Sequence, residues 1–314
     1  MKVCFINPPF KAEYGKFSRE SRSPSIGHSG VLYYPLWLIY AACVAEKNGF
    51  DVAFIDAPAK QMNKEQTIER VKKEAADAKL FVFDTSTPSI YSDVEFAGTI
   101  KKMYPNAFTM LVGTHPSATP DETMGISELI DGLARHEYDY IVRDTAIAIR
   151  DGADLATVRG LTYRKDGEVV HNPDAEHITD LDEIPYAAEF IKRRLCVTDY
   201  VFPAAAFPSI QIFTGRGCPA QCNLFEWIVR TNTFYHGQFL NKYPEIIYQM
   251  DERWGGEWEL GKNVFEKGGF MYMMSPGGHR WRTAIIFANN FELKKNSYEM
   301  TDIYGVIMDA VKGE

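Results

Sequence analysis

The sequence has little that would anchor the chain in a membrane, on nucleic acid or in a disulfide framework. Five cysteines in 314 residues, an odd number and mostly scattered, argue against a disulfide scaffold. No stretch approaches the roughly 20 apolar residues that a membrane-spanning helix needs. The net charge of −8 disfavours non-specific binding to nucleic acid or to an anionic membrane. The apolar run before Pro8 is too short for a signal peptide, so we expect a cytoplasmic protein with reduced thiols.

Short apolar runs alternate with helix-like patterns through the first half of the chain. The runs lie at 3–6, 51–56, 80–84, 108–112 and 130–134. Alternation with short connections is typical of a doubly wound, parallel sheet with helices on both faces. We therefore predict an α/β fold for this half. The chain is also long enough for a second domain.

In a doubly wound sheet, ligands bind at the carboxyl ends of the strands. The turns at those ends are Asn7-Pro8, Thr85-Ser86-Thr87 and Gly113-Thr114-His115, with Glu137 after the fifth run. We predict that these residues form a ligand site. No G-x-G-x-x-G follows the first run, which disfavours a dinucleotide. Ordinary turn chemistry remains an alternative for the Thr-Ser-Thr loop, and capping of the next helix remains one for His115.

A second group of chemically active residues lies at 209–227. A short apolar strand runs into a turn that contains Gly215 and Gly217, and Cys218 and Cys222 follow. Two thiolates on a turn after a strand suit a soft metal or an iron–sulfur cluster. The glycines let the backbone approach such a group. We predict that Cys218 and Cys222 are metal ligands, with two free thiols on a retained loop as the alternative.

The string GRGCPAQCN closely resembles the cluster loop of radical S-adenosylmethionine (SAM) enzymes that carry an N-terminal cobalamin-binding domain. The Asn-Pro-Pro turn, the Gly/His turn and the RHEYDY segment resemble the same family, and the group containing hopanoid-associated and anaerobic porphyrin-cyclase-like proteins is the most similar. The resemblance covers residues 1–254. It implies a Rossmann-like cobalamin-binding domain at 1–155, a hairpin and linker at 156–206, and an incomplete radical SAM-type α/β barrel at 207–314.

The resemblance also implies a reaction and its cofactors. The edge residues would cradle cobalamin, and Cys218 and Cys222 would ligate a [4Fe–4S] cluster that binds SAM. Reductive cleavage of SAM would then lead to methylation or rearrangement of a small-molecule or lipid-like substrate. A flavodoxin or ferredoxin would supply the electron.

One position departs from the family pattern C-x-x-x-C-x-x-C. Phe225 stands at the third cysteine, and a phenyl ring cannot ligate iron. The residues from Phe207 onward are about half of the 200 or more that a complete barrel takes. Three alternatives stay open: an enzyme in which Glu226 or His236 supplies the missing ligand, a non-catalytic cobalamin-binding module, and the product of a disrupted reading frame.

Overall fold

The structure is a computed structural model. It describes residues 1–19, 25–27, 30–202, 207–211 and 215–216, together with the pairs 233–234, 248–249 and 259–260. Most of the expected partial barrel at 207–314 lies outside the described residues, including Cys218, Cys222, Phe225, Glu226 and His236.

A seven-stranded sheet forms the centre of the described fold. In chain order the strands within residues 1–202 are β1 (Lys2–Asn7), β2 (Lys16–Ser18), β3 (Ser25–Gly27), β4 (Asp51–Asp56), β5 (Ala78–Thr85), β6 (Phe108–Gly113), β7 (Gly132–Ala134), β8 (Leu161–Lys165) and β9 (Glu168–His171). The sheet order is β4-β1-β5-β6-β7-β8-β9, while β2 and β3 pair separately. The first five strands of that order are parallel, and β8 and β9 are antiparallel. The predicted doubly wound parallel sheet is confirmed.

Helices cover both faces of the sheet. They are α1 (Leu36–Lys47), α2 (Lys64–Glu74), α3 (Ile90–Met103), α4 (Thr114–Ala118), α5 (Pro120–Ile126), α6 (Asp139–Asp151) and α7 (Ala187–Arg194). One core lies between the sheet and α1, α6 and α7, and a second lies between the sheet and α2, α3 and α5. Because successive side chains of a strand point to opposite faces, Val3 and Phe5 belong to the first core and Cys4 and Ile6 to the second.

Local sequence signals set several element boundaries. The Asn63 side chain accepts a hydrogen bond from the Gln66 N–H at 2.9 Å, and the Gln66 side chain accepts one from the Asn63 N–H at 3.0 Å. This reciprocal pair is a capping box at the start of α2, and its Asn-x-x-Gln spacing is visible in the sequence. Asp166 and Gly167, a residue pair that favours a type I′ turn, have the positive φ values of 53° and 89° that this turn requires between β8 and β9.

The hairpin of β8 and β9 is an integral part of the sheet. β8 pairs antiparallel with β7, and Leu161 and Tyr163 are buried in the first core. The pairing covers the edge of β7 that would otherwise be exposed. The sequence predicted a hairpin here, but as part of a connector and not of the sheet. It also gave no sign of α7, which buries Phe190 and Ile191 beside α1.

Gly113→Ala is expected to destabilise the fold by about 2 kcal/mol or more, because the position combines backbone strain with a steric clash. The φ of Gly113 is +119°, and a Cβ there would lie 2.3 Å from the carbonyl oxygen of Thr85 on the neighbouring strand. The matched control is Gly125→Ala in α5, where a Cβ meets nothing within 4 Å. Urea unfolding measures both variants. Equal free energies of unfolding would show that Gly113 is not required.

Candidate cofactor site

Strand register brings the predicted turns to one edge of the sheet. Asn7 at the end of β1 is paired with Asp56 at the end of β4, and Thr85 at the end of β5 is paired with Gly113 at the end of β6. The Thr85 hydroxyl donates to the carbonyl oxygen of Val112 at 2.8 Å. The predicted ligand-site residues at the ends of β1, β5 and β6 therefore lie at the same carboxyl edge of the sheet.

The part of this edge beside β1 is buried and bonded internally. The Asn7 side chain is in the interior, and its amide donates to Oδ1 of Asp56 at 2.9 Å. Arg19, directly after β2, donates from Nη1 to Oδ1 of Asn7 at 2.7 Å and to the carbonyl oxygen of Pro8 at 2.9 Å. Asn7 and Pro8, both predicted as cofactor contacts, thus have their polar groups engaged within the protein.

Arg19 also connects this turn to α3. Its Nη2 lies 2.6 Å from Oδ1 of Asp93, and the two side chains are 2% and 0% exposed. The Ser89 hydroxyl donates to Oδ2 of Asp93 at 2.5 Å, and the Ser86 hydroxyl lies 2.8 Å from that of Ser89. Ser86 therefore takes part in a buried network. Removing one partner of such a buried ion pair typically costs about 3–5 kcal/mol.

The part of the edge beside β6 is more open. Thr87 and Thr114 are exposed, and His115 is half-buried. The His115 ring lies between two hydroxyls, with Nδ1 3.3 Å from Oγ1 of Thr87 and Nε2 3.3 Å from Oγ1 of Thr119. Burial lowers the pKa of His115, which favours the neutral imidazole at neutral pH. Hydroxyls and a neutral imidazole both donate and accept hydrogen bonds, so they suit a ligand rich in amides.

The turn after β7 contains Glu137, which was predicted as a cofactor contact, and His136, which was not. Oε2 of Glu137 accepts from the Ile178 N–H at 3.1 Å, and Oε1 lies 3.4 Å from Nη1 of Arg216. His136 has a φ of 65°, unusual for a residue other than glycine, and its N–H donates to the Ser117 hydroxyl at 3.0 Å. Glu137 is thus engaged by the protein's own groups. Its neighbour lies at the edge in a strained conformation.

Sequence reasoning missed three buried carboxyl groups beside Arg19: Asp56, Asp84 and Asp93. Burial raises the pKa of Asp84 to about 7, against the opposing charge of Arg19. Burial also raises the pKa of Asp56 and of Asp93. Oδ2 of Asp84 is buried and has no hydrogen-bond partner among the described residues. Asp56 and Asp84 could have been found from the sequence, because each is the last residue of an apolar run and therefore lies at the carboxyl end of a predicted strand.

The chain is similar to known cobalamin-binding proteins. Residues 23–141 match the family model of the B12 binding domain. This range contains every predicted edge residue except Asn7 and Pro8, which precede it. The expected resemblance to the cobalamin-binding radical SAM family is confirmed.

Two curated relatives and one solved structure illustrate the relationship. An uncharacterized methyltransferase of Pyrococcus horikoshii is 27% identical over 222 residues, 71% of this chain and 44% of the relative. An anaerobic magnesium-protoporphyrin IX monomethyl ester cyclase of Cereibacter sphaeroides is 25% identical over 227 residues, 71% of this chain and 34% of the relative. The chain thus spans less than half the length of these curated relatives.

The solved structure is that of OxsB, a cobalamin-dependent S-adenosylmethionine radical enzyme with aqua-cobalamin and S-adenosylmethionine bound. It matches with a TM-score of 0.58 at 16% identity and covers 77% of this chain and 31% of OxsB. At this level of identity the likeness shows the shared fold. It supports the Rossmann-like architecture of the described part.

The side chains at the edge fit cobalamin better than the cysteines fit a cluster. The open stretch offers uncharged hydrogen-bonding groups, which match the amide side chains of a corrin. In the described part of the chain, no group of three His, Cys, Asp or Glu side chains is arranged to hold a metal ion. Cys218 and Cys222 lie outside it, and the sequence supplies two thiolates where the family pattern has three.

None of the described helices combines the length and apolarity needed to cross a bilayer.

A cleft of about 350 Å³ lies at the opposite, amino edge of the sheet. Charged side chains dominate its lining, including Lys2, Asp51, Arg70, Glu74 and Arg194. Lys2 and Asp51 pair with each other at 3.4 Å. Because ligands of parallel α/β sheets bind at the carboxyl edge, we assign no cofactor to this cleft.

Asp84→Asn is expected to stabilise the protein in a pH-dependent way. The folded pKa of Asp84 is about 7, whereas an unfolded aspartate has a pKa of about 3.9. Folding therefore takes up a proton between these values, and the stability cost of the carboxylate grows as the pH rises through this window. The cost is fully present above pH 7, on the order of a few kcal/mol, and absent below pH 4. Asparagine removes it.

Urea unfolding of wild type and Asp84→Asn between pH 4 and pH 8 tests this expectation. The difference in free energy of unfolding should widen as the pH rises. The control is Asp144→Asn, which removes a carboxylate paired with Arg143 at 2.7 Å on the surface of α6. A pH-independent difference for Asp84→Asn would mean that Asp84 is ionised in the folded state.

Proposed function

We propose that this chain binds cobalamin at the open part of the carboxyl edge, beside the ends of β5, β6 and β7. The observation that carries the proposal is the uncharged surface formed by the exposed Thr87 and Thr114 and the half-buried His115, within the range that matches the B12 binding domain. The neighbouring part of the edge, beside β1, is filled by Arg19. The cofactor therefore lies on the side of β6.

The predicted edge residues divide into two roles in this proposal. Thr87, Thr114 and His115 hydrogen-bond the amide groups of cobalamin. The others shape the edge from beneath through internal bonds or close backbone approach: Asn7, Pro8, Thr85, Ser86, Gly113 and Glu137. When bound, cobalamin supplies methyl-transfer or rearrangement chemistry. The protein binds it, orients it and excludes water.

The double variant Thr87→Ala, Thr114→Ala is expected to weaken cobalamin binding about tenfold, because it removes two hydrogen bonds of modest net strength. The matched control is Thr99→Ala, a half-buried threonine of α3 whose hydroxyl donates to the Glu95 carbonyl at 3.0 Å. Absorbance titration with hydroxocobalamin measures all three proteins. Absence of binding to wild type would refute the proposed function. Unchanged affinity in the double variant would refute only these residue assignments.

For the reaction, we propose that reductive SAM cleavage by this chain is weak or absent. Phe225 removes the third thiolate of the family pattern, and carboxylate is a poor ligand for a soft metal. The family's chemistry on a small-molecule or lipid-like substrate, with electrons from a flavodoxin or ferredoxin, would require Glu226 or His236 as a replacement. The non-catalytic cobalamin-binding module remains the alternative that Phe225 favours.

Phe225→Cys is the variant that tests the missing ligand. After anaerobic reconstitution with iron and sulfide, wild type is expected to hold well under four irons per chain, whereas the variant approaches about four. Iron counting, EPR spectra with and without SAM, and the yield of 5′-deoxyadenosine compare the two. A robust 5′-deoxyadenosine yield from wild type would contradict the proposal and turn attention to Glu226 and His236.

A further inference from the structure

Tyr200 connects the linker to the carboxyl edge of the sheet. Its hydroxyl donates to Oδ2 of Asp56, at the end of β4, at 2.7 Å, and the two residues are 144 positions apart. The Tyr200 ring stacks on that of Tyr34, with ring centres 4.0 Å apart and 19° between the planes. The N–H and the carbonyl oxygen of Val201 each form a 3.1 Å hydrogen bond with the backbone of Leu32. Tyr200 is 2% exposed, so the linker is docked into the edge at this point.

Side-chain hydrogen bonds continue from Asp56 across the ends of β1 and β5. Six hydrogen bonds of 2.5–2.9 Å join seven side chains into one series. Every member is buried, with at most 7% of its surface exposed. We call these side chains the edge network; in bonding order they are Tyr200, Asp56, Asn7, Arg19, Asp93, Ser89 and Ser86.

The hydrogen-bond directions agree along the edge network. Both oxygens of Asp56 and both oxygens of Asp93 accept from members of the network. The single hydroxyl proton of Ser89 is directed at Asp93, so the Ser86 hydroxyl donates to Ser89. A buried network of this kind rigidifies the segments that it joins, and removal of one donor leaves a buried oxygen without that partner. The linker and the loop 86–89, between β5 and α3, are therefore parts of one polar structure.

The far end of the edge network lies beside the proposed cofactor site. Ser86 and Ser89 flank the exposed Thr87, to which we assigned a hydrogen bond with cobalamin. We propose that Tyr200 is a positioning residue for this loop: its hydroxyl holds the edge network in place, and the network holds Ser86 and Ser89. Docking of the linker and the arrangement of the loop then favour each other, and this coupling is reciprocal. Its effect on cobalamin affinity rests on the proposed function, whereas the coupling within the protein does not.

Amide hydrogen exchange of the full chain without cobalamin, resolved to single residues, tests the coupling from both ends. Tyr200→Phe removes only the hydroxyl, and it should accelerate exchange of the Ser89 amide, which donates to the Ser86 carbonyl at 3.0 Å, roughly fivefold or more. Ser89→Ala should accelerate exchange of the Val201 amide to a similar extent. The Arg164 amide, which donates to the Asp131 carbonyl at 2.8 Å away from the network, reports general stability and should not change.

Tyr140→Phe is the matched control. The Tyr140 hydroxyl donates to Oε2 of Glu183 at 3.1 Å, so it also joins a tyrosine to a carboxylate between the linker and the first half of the chain, but it lies outside the edge network. This variant should leave exchange at Ser89 unchanged. In urea unfolding, Tyr200→Phe combined with Ser89→Ala should destabilise less than the sum of the two single variants, because both interrupt one network. Tyr140→Phe combined with Ser89→Ala should be additive.

Unchanged exchange at Ser89 in Tyr200→Phe, or at Val201 in Ser89→Ala, would overturn the inference, because the coupling has to act in both directions. Acceleration that extends equally to Arg164 would also overturn it, since it would show a general loss of stability. Titration with hydroxocobalamin then tests the consequence for the cofactor: Tyr200→Phe should bind several-fold more weakly than wild type and Tyr140→Phe equally well. A wild type that binds no cobalamin but shows the exchange effects would refute the proposed function and leave the role of Tyr200 standing.

Discussion

Burial of two guanidinium groups constrains how the described parts of the chain fit together. Arg19 lies beside the end of β1 and pairs with Asp93 in the first turn of α3. Arg216 lies beside the turn after β7 and pairs with Asp139 at the start of α6. A charge taken from water costs several kcal/mol unless its partners are in place. Each pair therefore requires a loop, a strand end and a helix to assemble together, and both pairs contact the carboxyl edge.

These contacts give the carboxyl edge two unlike parts. Beside β1, amide and carboxyl groups are buried and bonded to one another around Arg19, and burial raises the pKa of the neighbouring Asp84 to about 7. Beside β6, the hydroxyl groups and the imidazole of His115 remain accessible. A rigid, bonded base next to an accessible polar rim is what a large cofactor with many amides needs, because preorganised groups lose little entropy on binding.

Much of the architecture could be predicted from local pattern. The parallel strands, the capping box at Asn63 and the tight turn at Asp166 and Gly167 each depend on residues close in sequence. The burial of α1 could not be predicted in the same way. Its sequence indicates a single apolar face, yet positions 38–45 are all buried, because α6 and α7 pack on its flanks. Those flanking contacts come from residues far along the chain.

The sequence by itself determined the fold class, the sheet edge that we propose as the ligand site and the family to which the cysteine segment is similar, because strand–helix alternation and turn composition are local properties. The tertiary structure alone decided which predicted edge residues are free to meet a ligand. Asn7 and Ser86 are engaged in buried bonds and Glu137 contacts Arg216, whereas Thr87 and Thr114 are exposed. The reason is physical: a polar side chain is satisfied or accessible according to partners that folding brings from elsewhere in the chain.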